Sequence, residues 1–395
     1  MQDPEPGPAA QQCRVGIIGG GQLGWMLCRA ARELHMETIV LTPQAECPAA
    51  AQADRLLIGT LDDTDIAARL ADAADVITFE IEAVAPAVLE LLASRVESCS
   101  VQVHPAPDVL LLLQNKLRQK LWLEKHGFPT ATFMAGAGTP DDAMAAGRLG
   151  LPLVQKAATG GYDGRGVQII RDTSSLERLW PVPAVLEAFV ADAIELAVVV
   201  ARAADGSLAT YQPASMCFHT EGNVLDTVSA PAAISRDQAD RAMRLAEDIV
   251  DRLDGVGVFS IEMFLTARDE LLVNEISPRV HNAGHLTVEA CETSQFEQHL
   301  RAVTGMALRS SDQHRAAAMK NLLFDAGLAH LCGRAPSRSV SDDAGVAVYW
   351  YGKLNGTPRR KMGHITALAD TPSAAEHRAS SASDRLCNPP LGALA

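Results

Sequence analysis

Arg14 to Ile18 is a short apolar run, Gly19 to Gly24 (GGGQLG) follows at once, an Ala/Leu-rich stretch comes next, and Thr38 to Leu41 is a second apolar run. Strand, glycine turn, helix, strand is an order that admits few folds. Two strands joined through a helix lie parallel in one sheet, with a right-handed crossover. A third such unit ends at Val76-Ile77-Thr78-Phe79-Glu80. Residues 14–108 are therefore predicted to form an α/β domain, an open, Rossmann-like parallel sheet with helices on both faces.

At 395 residues the chain exceeds what one core usually organises, so further domains must follow. His104-Pro105-Ala106-Pro107 interrupts the pattern, and Asp108 to His126 then reads as one long helix. From about 151 the texture changes to strands joined by glycine or acidic turns: LPLVQKA, VQIIR, ELAVVVAR, GVFSIEMFLT and ELLVNEIS. Residues 109–306 are predicted to be an α+β domain with antiparallel sheets, containing a subdomain at about 120–187. Residues 307–395 should form a small C-terminal β-rich domain, with a strand from Val346 to Tyr351 and a hairpin turn at Asn355-Gly356. The Ala/Ser-rich tail from 371 has no strong period and is expected to be weakly ordered, as are residues 1–13.

The 34 basic and 48 acidic residues give a formal charge of −14, which repels polyanions, so nucleic acid is not an expected partner. No stretch approaches the apolar length of a membrane span, and the acidic, Pro-rich start lacks the pattern of a secretion signal. The eight scattered cysteines form no CxxC pair. A cytoplasmic protein with reduced thiols and no membrane partner is expected.

Five segments carry chemistry. Gly19-x-Gly21-x-x-Gly24 opens a helix after a strand, which leaves open a tight turn needing small residues and a phosphate site on the helix N-terminus. No acidic residue ends the next strand to hold a dinucleotide ribose, because that strand runs into Thr42-Pro43. The segment from Lys156 to Gly166 holds four glycines together with Tyr162, Asp163 and Arg165. A plain hairpin needs fewer, whereas a flap that folds its amides over polyphosphate needs several, with a lysine nearby.

GVFSIEMFLT and ELLVNEIS flank Ala267-Arg268-Asp269 and read as a hairpin. If Arg268 and Asp269 form a two-residue turn, Glu262 faces Glu275 directly. Like charges so placed destabilise a sheet unless a cation lies between them, and Mg²⁺ held by one or two carboxylates plus phosphates is the usual arrangement in ATP sites. Asn274 would add an amide oxygen. Arg279, His281, Asn282 and His285 follow in a polar cluster suited to an anion, although His281 and His285 at i and i+4 also raise a metal pair. Lys353, Arg359, Arg360 and Lys361 gather basic charge in an acidic chain.

The order GGGQLG, GGYDGRG, SIEMF, NEISPRVHNAGH, SQFEQHLRA and YGK…RRKMGH, spanning residues 14 to 366, resembles the N5-carboxyaminoimidazole ribonucleotide synthetase family of ATP-grasp enzymes. The resemblance implies a pre-ATP-grasp domain, an ATP-grasp domain and a small C-terminal domain. It also implies ATP-dependent carboxylation of 5-aminoimidazole ribonucleotide by bicarbonate, through carboxyphosphate, with ADP and phosphate as products, by a homodimer. ATP would be held by Lys116, Lys156, Gly161, Tyr162, Asp163, Gly164, Arg165, Gly166 and Val167. Glu187, Ala188, Phe189, Val190, Glu195 and His219 would complete its site together with Asn274 and Glu275. Glu262, Glu275 and Asn274 would bind Mg²⁺, or Mn²⁺ in its place. Tyr162, Asp163, Arg279, His281, Lys353 and Arg360 would be catalytic. Gly21, Gln22, Leu23, Arg165, Asn282, Lys353 and Arg360 would meet the ribonucleotide.

The chain departs from the family's pattern at Trp25, where Arg is common, at Asn115 for Asp, at Ala188 for Glu, and at Ser215 and Met216 for Glu and Asn. Those departures raise the prospect of a catalytically weak relative. Two other readings compete: a related ligase such as a formate-dependent glycinamide ribonucleotide transformylase, and an NAD(P)-dependent oxidoreductase resting on the first glycine motif.

Overall fold

In the computed structural model, which describes residues 12–139, 141–161, 166–219, 223–340 and 345–387, the first apolar runs become five short strands. They are β1 (Arg14–Ile18), β2 (Glu37–Thr42), β3 (Arg55–Ile58), β4 (Val76–Phe79) and β5 (Gln102–Val103), with helices α1 (Gln22–Glu33), α2 (Thr64–Ala73) and α3 (Pro86–Glu97) between them. All pair in parallel, in the order β3-β2-β1-β4-β5. Helix α1 packs on one face and α2 with α3 on the other, which is why β1, β2 and β4 are apolar almost throughout. The strand order reverses between β1 and β4, and the crevice beyond their C-terminal ends is where such sheets bind ligands. GGGQLG and Glu80 both lie there.

The helix expected over 108–126 is in fact two, α4 (Pro107–Leu113) and α5 (Lys116–Lys125). Asn115 causes the break: its side chain caps α5 by accepting from the Arg118 N–H at 3.0 Å. Lys116 thereby occupies the first turn of a new helix, and its own N–H donates to the Ala158 carbonyl.

β6 (Phe133–Gly136), α6 (Asp141–Ala146), β7 (Leu153–Ala157), β8 (Val167–Ile170) and β9 (Ala184–Ala188) follow, and the strands form an antiparallel sheet in the order β6-β9-β7-β8. Leu153, Ile170 and Leu186 give it a small core of its own.

The remaining elements are β10 (Ile194–Arg202), β11 (Leu208–Thr210), β12 (Ala214–Phe218), β13 (Leu225–Ala230), α7 (Arg236–Leu253), β14 (Gly257–Leu265) and β15 (Leu271–Ser277). After them come α8 (Thr287–Ala290), α9 (Gln295–Val303), β16 (Ala316–Leu323), β17 (Ser337–Val340), β18 (Val346–Trp350), β19 (Lys361–Ala369) and α10 (Pro372–Cys387). One large antiparallel sheet runs β15-β14-β10-β12-β13-β16-β19-β18-β17, with β11 beside β10, so the C-terminal strands extend the central sheet.

Two sequence expectations fail in this region. From 372 to 387 the tail is ordered as α10, with Ser383 buried and Ala375, Ala379 and Ala382 in the core shared with β16 and β19. Small residues give a weak apolar period yet allow close helix-to-sheet approach, which is why the pattern misled. Asn355-Gly356 is not a two-residue hairpin either; residues 351–360 join β18 to β19. Gly356 is there for space, because a Cβ would lie 2.0 Å from the Phe324 ring.

Trp25 on α1 joins the first domain to the last. It is buried, and the Tyr349 and Tyr351 rings meet it edge-on at 6.3 Å each. The Arg29 guanidinium lies 5.4 Å from its ring, so a cation remains nearby although Trp stands where the resemblance leads one to look for Arg.

Candidate active site between two sheets

The β14–β15 hairpin closes with three residues, Ala267 to Asp269, instead of the expected two. The Thr266 N–H donates to Glu270 O at 2.9 Å, and Asp269 takes the left-handed conformation (φ 63°) that such a loop requires. Near the turn the register is thus one residue away from that expected, pairing Leu265 with Leu271 and Met263 with Val273. Asn274 then bulges, and beyond it Glu262 pairs with Glu275 after all.

The bulge also changes where side chains point. Successive residues of a regular strand face opposite ways, but a bulge re-aims one of them. Asn274 and Glu275 both serve the same cleft: Asn274 Nδ2 donates to Glu262 Oε2 at 3.3 Å, Asn274 Oδ1 accepts from Lys156 Nζ at 2.7 Å, and Glu275 pairs with Lys116.

The charges of this cluster divide unevenly. Burial, the facing Glu275 and nearby Glu195 push Glu262 up to about 7. Burial works against the Glu275 charge too, yet Lys116 outweighs it and holds Glu275 down at about 2. Glu195 on β10, also desolvated, is raised to about 7. Two opposed carboxylates and one amide oxygen fit a hard dication whose remaining ligands are phosphates and water. Among the described residues no cluster of three His, Cys, Asp or Glu stands ready to hold a metal unaided.

Lys156 on β7 also pairs with Glu187 on β9 at 2.9 Å. Glu187 is buried, with its second oxygen 3.4 Å from Lys120, so its side chain is committed to two lysines rather than offered to adenine or ribose. Beyond it, Ala188, Phe189 and Val190 line a cavity of about 380 Å³ with Thr132, Arg268 and Leu272.

At the other end of the cleft the glycine turn is occupied by the chain itself. Glu80 Oε1 accepts from the Gly21 N–H at 2.6 Å and Oε2 from the Gly24 N–H at 3.1 Å. A Cβ on Gly19 or Gly21 would strike the Glu80 carboxylate. An internal carboxylate on the helix N-terminus therefore takes the place of a phosphate, which removes the basis of the dinucleotide reading. Gln22 is half-buried beside it and Leu23 is buried.

Arg279 Nε lies 2.9 Å from Glu82 Oε2, and its Nη1 donates to Val280 O. Lys353 Nζ donates to Lys361 O at 2.7 Å, lies 5.4 Å from the Tyr351 ring, and contributes charge at Glu80. His281 Nδ1 accepts from the Ala283 N–H at 3.3 Å, so its hydrogen sits on Nε2, 3.4 Å from Glu262 Oε1.

Other expected residues make contacts of their own. Asn282 is buried in a reciprocal amide pair with Asn321, at 3.0 Å both ways. Arg360 is exposed and donates to Asn355 O within its own loop. His219 is exposed beyond β12, where its N–H donates to Val224 O. His285 is buried and stacked between Phe296 and His364, so it forms no metal pair with His281. Tyr162, Asp163, Gly164 and Arg165 lie outside the described residues; Gly161, Gly166 and Val167 flank them at the ends of the β7–β8 connection.

Sequence reasoning missed Lys120, Glu80 and Glu82. Lys120 repeats Lys116 one helical turn later, and Glu80 and Glu82 follow a strand at the switch point; both signals were available.

Three parts of the chain match known domain families. Residues 12–114 match the ribonucleotide synthetase preATP-grasp domain family, 121–296 the ATP-grasp domain family, and 317–378 the phosphoribosylaminoimidazole carboxylase C-terminal domain family. The chain is 40% identical over 370 residues to the N5-carboxyaminoimidazole ribonucleotide synthase of Synechococcus elongatus, covering 92% of this chain and 91% of that one. It is 38% identical to the enzyme of that name from Brucella melitensis, covering 90% and 96%. Among solved structures, that of the Aspergillus clavatus synthase with ADP and 5-aminoimidazole ribonucleotide superposes with a TM-score of 0.83 at 31% identity, covering 95% and 99%.

Proposed function

Since the chain belongs to the N5-carboxyaminoimidazole ribonucleotide synthase family, and so is an ATP-dependent ligase that carboxylates 5-aminoimidazole ribonucleotide in purine biosynthesis, we propose that its cleft works as one site with two ends. At the nucleotide end, Lys116 and Lys156 meet the phosphates, the segment Ala188 to Val190 takes the base, Glu195 takes the ribose, and the glycine-rich segment from Gly161 to Val167 contributes further contacts to ATP. Glu262, Glu275 and Asn274 hold Mg²⁺, or Mn²⁺. A dication bound there would neutralise charge on the transferred phosphoryl group. The observation that carries this reading is the Asn274 bulge, which turns two adjacent residues toward Glu262 and two lysines at once.

The substrate end comprises Glu80, Glu82, Arg279, Lys353 and the backbone about Gly21 to Leu23. Because Glu80 fills the glycine turn, the ribonucleotide phosphate must find its positive charge elsewhere, and Lys353 with the loop bearing Arg360 is the basic candidate. Bicarbonate attacks the γ-phosphorus of ATP, releasing ADP and giving carboxyphosphate; the substrate amine then takes the carboxyl group, and the departing phosphate carries off the amine proton. Arg279 steadies that anion. His281 presents Nε2–H and acts as a donor rather than as the base. Tyr162, Asp163 and Arg165 belong to the same proposal, as residues that meet ATP and the carboxyphosphate.

Domain boundaries near 108 and 306 and a cytoplasmic location, read from the sequence pattern, and a homodimer, implied by the family resemblance, are part of the same proposal. Among the described residues no helix is long and apolar enough to cross a membrane. Phosphate release from ATP, measured with bicarbonate and aminoimidazole ribonucleotide added singly and together, tests the chemistry. Release should need both, and release supported by formate in place of bicarbonate would overturn the bicarbonate assignment.

A further inference from the structure

We propose that Lys120 is a positioning residue for nucleotide binding, which shares the Glu187 carboxylate with Lys156 and so leaves Lys156 with charge to spend on phosphate. The proposal rests on Lys156 being a phosphate ligand, as argued above.

Lys120 lies one turn beyond Lys116 on α5, and its side chain is only 3% exposed. Its Nζ donates to Thr130 Oγ1 at 2.7 Å and to Val273 O at 3.2 Å, and sits 3.4 Å from Glu187 Oε1. Those three partners come from the segment before β6, from β15 and from β9. Thr130 Oγ1 also donates to Val273 O, so the ammonium is held by groups already fixed to one another. Val273 immediately precedes the bulged Asn274, whose Oδ1 accepts from Lys156.

Charge counting gives this network a purpose. Two lysines and one carboxylate are buried together, and with both lysines present Glu187 is divided between them, leaving a net positive charge. Without Lys120 the carboxylate and Lys156 become a neutral pair. In a medium of low dielectric such a pair holds together strongly, and Lys156 would have to leave it to serve an incoming anion. Burial would raise Glu187, but Lys156 and then Lys120 outweigh it and keep the carboxyl ionised. Burial in turn draws Lys120 down to about 8, the cost of placing an ammonium there. A packing role needs no charge, and a methionine of similar length would fill it.

The test is the Kd for ATP with Mg²⁺ in the full-length protein, measured by calorimetry without bicarbonate. Lys120→Met should weaken binding about tenfold, and Lys120→Met/Glu187→Gln should return it to within about threefold of wild type, because removing the carboxylate frees Lys156 again. Wild-type affinity in Lys120→Met, or a double variant no better than the single one, would overturn the proposal. If circular dichroism shows that Lys120→Met does not fold, Glu187→Gln alone decides: it should bind ATP at least as tightly as wild type, and weakening beyond threefold overturns the idea. Lys156→Met separates the premise. Unchanged ATP affinity there removes the phosphate-ligand reading and this inference together, whereas weakened affinity there with none in Lys120→Met removes this inference only.

Discussion

Glu262 on β14 stands opposite Glu275 on β15, and the two are in register only because Asn274 between Val273 and Glu275 is bulged. Like charges directly opposite destabilise a sheet, and here they are divided, with Glu275 held ionised by Lys116 and Glu262 raised to about 7. Glu275→Gln removes both the partner of Lys116 and one half of the metal clamp. Turnover, followed as phosphate release, should fall by about a hundredfold or more, the scale seen when one preorganised electrostatic contact is lost. The fold should survive, since an opposed charge is also relieved, with the unfolding midpoint moving by no more than about 4 °C. Unchanged turnover would take Glu275 out of the metal site.

Glu82 meets Arg279 at 2.9 Å, with both side chains largely buried. The Glu82 carboxylate fixes the orientation of the guanidinium, and orientation matters where a planar anion is to be met. Glu82→Gln should therefore lower kcat/KM for the ribonucleotide or bicarbonate by about tenfold while leaving the KM for ATP within a factor of two. An equal loss for all three substrates would point to general disorder of the site.

Trp25 is packed against Tyr349 and Tyr351 rather than turned into the cleft. Trp25→Ala should cost about 3–5 kcal/mol of stability, the usual range for emptying a buried aromatic position. Equilibrium urea unfolding measures it. At a temperature where the variant is folded, the KM for each substrate should be near wild type; a loss confined to ribonucleotide KM would show that α1 sets the substrate end directly.

The parallel sheet was legible because its period and glycine turn are local signals, and the Glu262–Glu275 pair because two strands and a short turn leave few registers. The turn itself was misjudged by one residue. A left-handed Asp269 permits a three-residue loop that its sequence does not advertise, and the compensating Asn274 bulge depends on the Lys156 and Glu262 contacts across the cleft. Glu80 shows the same limit. A glycine-rich helix start signals an anion, but whether the anion is a ligand or the chain's own carboxylate is decided by the neighbouring strand. Asn282 was misplaced because its partner Asn321 lies on β16, a strand no local pattern relates to it.

Three buried histidines make stability depend on pH. His299 Nδ1 accepts from the Val258 N–H at 3.0 Å and Nε2 lies 2.7 Å from Thr78 Oγ1, joining α9 to β14 and β4. Burial pulls His299 down to about 3; His364, stacked on Tyr349, is likewise near 3, and His285 is also held well below its ordinary value. A histidine near 6.5 when unfolded and near 3 when folded takes up its proton on unfolding, so its contribution is complete above pH 6.5 and is lost as pH falls toward 3. Each such histidine removes up to about 1.4 kcal/mol per pH unit in that window. Glu195 and Glu262, raised to about 7, act in the opposite sense, because the folded state holds their protons more tightly below pH 7. The total slope is therefore a balance, and a variant isolates one member of it. His299→Asn, whose amide oxygen can still accept from Val258, should make the slope of urea-unfolding stability between pH 5 and 6.5 less steep by about one proton's worth. An unchanged slope would mean that His299 is protonated in the folded protein, contrary to its acceptor role at Nδ1.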